Sequence, residues 1–272
     1  MDQESRSQED QVDVDKSGGS ALARGILILQ AFKVDTPALT ARELMAVTGL
    51  PKPTLFRLIT TLTEAGLLRY EELTGRFMPA PGLGRLAAPL LARVSIRQLA
   101  FGPMQALADR VCAQVSLGLG LGLDLVFIEL AQSKDCVTVR PAMGSHISMS
   151  RTASGRAYLS ALPPEQAQRY IDSVREADAE QGDWLADRLQ QTRRDLAERG
   201  FCMSHGDLDR QTEAVAVPLR AAGSPDEIYV FACAASSFEL KPGQLVDDVG
   251  PRLAALARSI EAALGAPSPH ST

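Results

Sequence analysis

Metal-binding and disulfide-forming side chains are scarce in this chain. It holds three histidines and four cysteines among 272 residues, and the cysteines form neither a CxxC pair nor a dense framework. Structural zinc sites need clustered His or Cys ligands, and small secreted scaffolds need paired cysteines. The stretch GLGLG lacks the spacing of a dinucleotide fingerprint. We therefore expect no metal, no cofactor and a reducing, cytoplasmic location.

Long apolar runs are also missing. A membrane-spanning helix needs about 18 or more apolar residues, but the closest stretch, residues 113–123, is followed at once by Asp124. Residues 1–19 are acidic and polar, without the basic start and apolar stretch of a signal peptide. The sequence predicts a disordered leader over 1–19 and no membrane partner.

An overall excess of positive charge is absent, because the formal net charge is -5. That balance alone argues against a dedicated polyanion binder. The charge is unevenly spread, however, since residues 20–80 hold seven basic and five acidic residues between more acidic flanks. A mildly basic block of this kind indicates a nucleic-acid face only weakly, and an ordinary solvated surface explains the charge equally well.

Helix-start and helix-stop signals predict the secondary structure of this basic block. Thr40 and Glu43 have the spacing of a capping box, which starts a short helix. Gly49 is free to take the left-handed conformation that ends it. Pro51 and Pro53 fit only in the first turn of the next helix, where their missing N–H groups have no intrahelical partner. A leucine-rich stripe then follows at helical spacing.

The periodicity changes after Gly66. Residues 67–70 and 76–78 alternate as short strands around a turn, which predicts a hairpin. Helix, short helix, tight turn, helix and hairpin form the layout of a winged helix-turn-helix domain over residues 20–80. Residues 81–94 are expected to be a linker helix despite Pro89.

A helix-turn-helix presents the N-terminal side chains of its second helix to base edges in the major groove of DNA. Basic side chains on the hairpin can hold phosphates or enter the minor groove. A small helical bundle with solvated charges remains the alternative. The candidate DNA-binding residues are Lys52, Thr54, Arg57, Thr61, Arg69 and Arg76.

The remaining 95–265 segment mixes helical and strand-like patterns, which predicts an α+β domain. Expected strands lie at 115–119, 125–130, 137–140, 213–219 and 228–234. Expected helices lie at 96–111, 153–162, 164–174, 184–199 and 241–264, and the tail 266–272 is expected to fray.

Two groups of motifs resemble one known family. LTARELMAVTGLPKPTLFRLITTLTEAGLLRY and LTGRFMPAPGLGRL are similar to the DNA-binding half of the IclR family of bacterial transcriptional regulators. GSHISMSRTASGRAYLSALPPEQ, DLAERGF and AVAVPLR are similar to its effector-binding half, so the resemblance covers residues 20–265. It implies a winged helix-turn-helix, a linker helix and a GAF-like domain, forming homodimers or dimers of dimers on operator DNA.

The resemblance also implies a ligand-responsive regulator, with repression favoured over activation, and a small organic acid as effector. By position, the effector contacts carry over to Ala153, Ser154, Ser204, His205, Asp207, Asp209, Ala214, Pro218, Ala232 and Ala234. The late strand has alanines where some relatives place serines, which favours an apolar acid, such as an aromatic one. Pro53 stands where relatives often have Ser, so base readout is expected to depend more on Lys52, Thr54 and Arg57.

Two other functions remain open from the residues. Cys202 and His205, three apart, are a candidate nucleophile and base for a small-substrate hydrolase, although we expect no enzyme. A DNA-binding regulator that senses oxidation through cysteine is the other alternative. Arg151 and Arg156 flank the expected effector site and could pair with an effector carboxylate, but surface or interdomain salt bridges are the expected role.

Overall fold

The computed structural model describes residues 20–33, 36–93, 96–136, 143–145, 147–220 and 227–265. The predicted leader, the predicted strand at 137–140 and the predicted frayed tail lie outside these residues. The chain divides into two compact units between positions 94 and 95.

The first unit is a winged helix-turn-helix. Its elements are α1 (Ala21–Gln30), α2 (Ala41–Thr48), α3 (Lys52–Glu64), β1 (Leu68–Glu71), β2 (Arg76–Pro79) and α4 (Pro81–Arg93). The strands β1 and β2 pair antiparallel, and Leu39 bridges to Phe77 on the other edge of β2. A single apolar core, which includes Ile28, Leu44, Leu55 and Phe77, joins the helices to the hairpin.

Local chemistry sets the helix ends of this unit. The Thr40 hydroxyl accepts the Glu43 N–H at 3.2 Å, while the Glu43 carboxylate accepts the Thr40 N–H at 2.7 Å. Gly49 ends α2 with φ 68°, the left-handed region that glycine tolerates best. Pro51 is the N-cap of α3 and Pro53 lies in its first turn, as the sequence predicts.

The start of α4 lies directly against the end of α3. The Gly82 N–H donates to the Gly66 carbonyl at 3.0 Å. A Cβ atom at position 82 would lie 2.3 Å from that oxygen, so only glycine fits there. The first turn of α4 is therefore fixed to the turn that follows α3.

The second unit is an α+β domain around one antiparallel sheet. Its elements are α5 (Ile96–Val111), β3 (Gln114–Leu121), β4 (Asp124–Gln132), α6 (Ala153–Ala161), α7 (Pro164–Ala177), α8 (Ala179–Arg199), β5 (Cys202–His205), β6 (Thr212–Arg220), β7 (Ile228–Ser236), a π-helical turn (Leu245–Val249) and α9 (Gly250–Gly265). The strand order is β4-β3-β7-β6-β5. The helices α5 and α9 cover one face of the sheet, and α6 covers the other.

Three elements of this unit differ from the sequence-based expectation. The helix α8 begins at Ala179, five residues before the expected start, because Asp178 caps it by accepting the Gln181 N–H at 3.1 Å. The expected helix over 241–264 contains a π-helical turn before α9. Pro251 supplies no N–H for a regular bond there, which favours the irregular turn. The strand β5 was not predicted.

The capping box gives a first test. Thr40→Ala removes the oxygen that accepts the Glu43 N–H, so the first unit should lose about 1 kcal/mol of unfolding free energy. Urea denaturation of the full chain, followed on the transition of this unit, measures the loss. Thr63→Ala is the control, because Thr63 is exposed within α3 and caps no helix. Equal stability of the two variants would contradict the capping role.

Candidate DNA interface and effector site

The helix α3 has one buried side and one exposed side. Leu55, Leu58 and Ile59 are buried against the core of the first unit. At about 100° per residue, the opposite side presents Phe56 and Arg57. Both are exposed, and the Arg57 guanidinium makes no hydrogen bond or ion pair with the described residues. This surface can enter a major groove, where arginine reads guanine and an aromatic ring contacts the thymine methyl group.

The other candidates on α3 lie around this surface. Thr54 is half-buried at its edge, while Lys52 and Thr61 are exposed. The Lys52 ammonium lies 6.0 Å from the centre of the Phe56 ring, and the Thr61 hydroxyl donates to the Arg57 carbonyl at 3.1 Å. The sequence reasoning missed Phe56, which is 41% exposed. Its position in the sequence, outside the buried leucine stripe, could have identified it as an exposed residue of α3.

The two hairpin arginines have different surroundings. Arg69 is exposed and lies 4.0 Å from Glu71, which leaves it available for a phosphate. Arg76 donates to the Ala38 carbonyl at 2.8 Å and to the Glu43 carboxylate at 3.2 Å. The hydrogen bonds from Thr40, together with Arg76, hold the pKa of Glu43 below its usual value. Arg76 therefore links the hairpin to the N-terminal cap of α2. This geometry favours a structural role over the expected phosphate contact.

The face of the sheet beneath α6 has a floor of small side chains. The cross-strand register aligns Ala214 with Ala234 and Ala216 with Ala232. Because side chains alternate along a strand, these four alanines lie on one face. We call them the alanine floor. Residues 214 and 234 are half-buried while 216 and 232 are buried, so the floor is more open at the 214–234 end.

Several predicted effector residues meet at this floor. Ala214, Ala232 and Ala234 belong to it, Pro218 continues the same face of β6, and Ser204 pairs with Ala214 from β5. The Cys202 thiol, next along that face, donates to the Ala153 carbonyl at 3.6 Å. The structure therefore brings the first turn of α6, with Ala153 and Ser154, over the floor.

The start of α6 has the features of an anion site. Thr152 caps the helix by accepting the Gly155 N–H at 2.9 Å. The N–H groups of Ala153 and Ser154 precede that bond and have no intrahelical acceptor. Such groups, with the helix dipole, favour a carboxylate.

His205 and Asp209 do not join this site, contrary to the prediction. His205 lies on the opposite face of β5 from Ser204, and its Nδ1 is 3.5 Å from the Glu213 carboxylate. The Asp209 carboxylate is used in the loop between β5 and β6, where it accepts the Gln211 N–H at 3.3 Å and the Thr212 hydroxyl at 3.2 Å. Strand alternation explains the first error and turn chemistry the second.

The Asp207 carboxylate is bound by side chains of the second unit. Its carboxylate accepts Arg156 at 2.7 Å, Arg188 at 3.1 Å and the Ser204 hydroxyl at 2.9 Å. Arg156 is 1% exposed and also donates to the carbonyls of Ser150 and Met203. The expectation of a surface or interdomain role for Arg156 is therefore wrong. Asp207 and Ser204 serve a buried network within the second unit.

Trp184 lies beside the two arginines that bind Asp207, and Arg151 bonds a nearby amide. The Arg156 and Arg188 guanidinium carbons lie 5.9 and 5.5 Å from the centre of the Trp184 ring, within the range of a cation–π interaction. Arg151 donates to the Gln181 side chain at 3.1 Å. Trp184 thus joins α8 to the network.

The positions of Cys202 and His205 do not support the hydrolase hypothesis. Cys202 and His205 lie on opposite faces of β5, so the histidine cannot serve as the base for this thiol. Burial raises the pKa of Cys202 to about 12, and that of Cys233 also to about 12. Neither thiol therefore supplies a thiolate at neutral pH, which also weakens both as oxidation sensors. Cys112 is exposed and Cys136 is half-buried.

Further features concern membranes and metals. None of the described helices is long and apolar enough to cross a membrane. Within the same residues, no cluster of three or more His, Cys, Asp or Glu is arranged to hold a metal ion.

A winged helix-turn-helix followed by a sheet domain with a helix-capped floor defines a two-domain, DNA-binding and effector-binding regulator. Residues 21–72 match the IclR helix-turn-helix domain, and residues 88–260 match the bacterial transcriptional regulator IclR C-terminal domain. The chain therefore belongs to the IclR family of transcriptional regulators.

Individual relatives agree over most of the chain. The HTH-type transcriptional regulator TsaQ1/TsaQ2 of Comamonas testosteroni is 27% identical over 251 residues, covering 92% of this chain and 90% of the relative. The crystal structure of an IclR family transcriptional regulator from Brucella abortus is 34% identical, with TM-score 0.76, over 92% of this chain and 94% of that one. An IclR homologue from Microbacterium hydrocarbonoxydans, complexed with 4-hydroxybenzoate, shares the fold at 20% identity, with TM-score 0.69 over 90% and 100%.

The buried network gives a second test. Asp207→Ala leaves the Arg156 charge buried without its counter-ion, so the second unit should lose about 3–5 kcal/mol of unfolding free energy. Asp172→Ala is the control, because its ion pair with Arg175 is exposed and should contribute about 0–1 kcal/mol. Urea denaturation measures both. A loss at Asp207 no larger than at Asp172 would show that the buried pair has no special weight.

Proposed function

We propose that this chain is a cytoplasmic repressor that binds double-stranded operator DNA as a homodimer or a dimer of dimers. Its second unit binds a small organic acid, with an aromatic acid favoured, and the bound acid lowers operator affinity. The observation that carries the proposal is the alanine floor beneath the first turn of α6, in a chain that also has a winged helix-turn-helix.

The DNA-binding part rests on the exposed side of α3. Arg57 projects beside Phe56 with no hydrogen bond or ion pair to the described residues, and Lys52 and Thr54 lie at the N-terminal end of α3, the end that a helix-turn-helix presents to a groove. Arg69 adds a positive charge on the hairpin. These side chains form a local basic surface, so the overall net charge of -5 does not oppose binding.

The effector part rests on an apolar floor beside N–H donors. The alanines and the nearby buried Ile147 and Met149 offer apolar contact, while the first-turn N–H groups of α6 favour a carboxylate. An acid that binds one arrangement of the effector units better than another shifts the regulator between two operator affinities. A coupling of about 1–3 kcal/mol would change operator affinity about 5–150-fold.

DNA binding is tested by fluorescence anisotropy on the intergenic DNA upstream of the gene, with excess non-specific competitor. Arg57→Ala should weaken specific binding about 5–150-fold, because one arginine–guanine contact provides about 1–3 kcal/mol of discrimination. Arg169→Ala is the matched control, since Arg169 is an exposed arginine of α7 in the second unit. Wild-type binding that competitor abolishes would contradict a specific regulator at this site.

The effector site is tested by filling the floor. Ala234→Leu places three extra carbons at the more open end of the floor, where Ala214 aligns with Ala234, so acids should no longer stabilise the protein or release DNA. DNA affinity without acid should stay unchanged. Ala255→Leu, on the exposed side of α9, is the control. Thermal shift with benzoate, octanoate and glyoxylate measures binding, and we expect the apolar acids to give the larger shifts.

A further inference from the structure

We infer that Phe56 of α3 makes the regulator prefer operators with a thymine beside the guanine that Arg57 reads, because the ring packs on the C5-methyl group of that thymine. The inference rests on the proposed DNA binding. It adds an apolar specificity-determining residue to a set of candidates that otherwise consists of polar and basic side chains.

The Phe56 ring takes no part in the core of the first unit. That core takes Leu55, Leu58 and Ile59 from α3, and Leu62 packs against it. Phe56 is neither in this cluster nor among the described half-buried side chains around it. Its side chain stays 41% exposed, so it gains only part of the free energy that burial of an aromatic ring provides. Core packing therefore does not explain an aromatic residue at this position.

The neighbours of Phe56 indicate what kind of partner would cover the ring. Lys52 lies one turn before it and Thr60 one turn after it, and all three are exposed along one row of the helix. The Lys52 ammonium lies 6.0 Å from the ring centre, at the limit of a cation–π interaction. A ring on a cationic surface suits a polyanion, whereas an apolar protein surface would have to remove the lysine from water.

The adjacent row of α3 carries Arg57. Its guanidinium is exposed and makes no hydrogen bond or ion pair with the described residues. Consecutive side chains on a helix diverge by about 100°, so the ring and the guanidinium meet neighbouring base pairs. In the major groove arginine pairs with guanine, and apolar side chains contact the methyl group that thymine alone carries. The two rows together therefore suit a thymine next to a guanine.

The threonines of the next turn do not compete for this role. The Thr60 hydroxyl donates to the Phe56 carbonyl at 3.0 Å, and the Thr61 hydroxyl donates to the Arg57 carbonyl at 3.1 Å. Both hydroxyl protons are used within the helix, so neither is left to donate to a base. On this side of α3, Lys52 and Arg57 supply the donors and Phe56 supplies the apolar contact.

The test removes only the methyl groups. The intergenic DNA upstream of the gene is synthesised with deoxyuridine in place of thymidine, which deletes the C5-methyl group and leaves the base-pairing edge intact. Fluorescence anisotropy of the full-length protein, with non-specific competitor, measures the affinity for the thymine and the uracil DNA. Wild type should bind the uracil DNA about fourfold more weakly for each methyl group that a Phe56 ring covers.

Substitution of the ring shows whether it is the group that senses the methyl. In Phe56→Ala the affinity ratio of thymine to uracil DNA should fall to about one, and Phe56→Leu, which keeps an apolar side chain, should restore part of it. Thermal unfolding of Phe56→Ala should match wild type, because the ring lies outside the core. Measurement at about 0.05 M salt, where phosphate contacts strengthen, keeps the weaker complexes measurable.

Phe101→Ala is the matched control, because Phe101 is a similarly exposed phenylalanine, at 47%, on α5 of the second unit. It should keep the wild-type ratio. Equal binding of wild type to the two DNAs, or a Phe56→Ala variant that keeps the wild-type ratio, would overturn the inference and leave the proposed function standing. If competitor abolishes wild-type binding to the thymine DNA, the proposed specific DNA binding is contradicted, and the inference fails with it.

Discussion

The second unit depends on a charge pair that is hidden from solvent. Two charges removed from water remain in a folded protein only where each finds several partners. Arg156 finds them on the segment before α6 and on β5, and Asp207 finds them on β5 and α8. The hydrogen bonds of this pair fix the start of α6, the end of β5 and the middle of α8 relative to one another. These segments surround the alanine floor.

In the second unit, the size of the side chains on the sheet follows the part of α6 that packs against each strand. Gly120 leaves room for the Tyr158 ring, whereas alanines lie where the first turn of α6 begins. Close packing makes such a boundary sharp, because one added methylene in a filled interior is costly. Helix α6 therefore packs a large ring against a glycine of β3 and small side chains against the alanines of β6 and β7.

Elements with local chemistry could be predicted from the sequence, and those with distant partners could not. The capping box, the Gly49 turn and the paired prolines act within a few residues, so the helix-turn-helix was predicted correctly. The ion pair of Arg156 with Asp207 joins residues 51 apart, and β5 has only four residues that are stabilised by pairing with β6. No local pattern carries those contacts. The roles of the predicted DNA and effector residues stay predictions, and Phe56 was overlooked although its spacing from the leucine stripe could have identified it.

The contact between Gly66 and Gly82 sets the direction in which α4 leaves the helix-turn-helix. The helix is about 18 Å long at 1.5 Å per residue. A side chain at position 82 would displace its first turn from the Gly66 carbonyl, and a tilt of about 10° would move the far end of the helix by about 3 Å. A single missing side chain therefore sets where a helix of 13 residues ends.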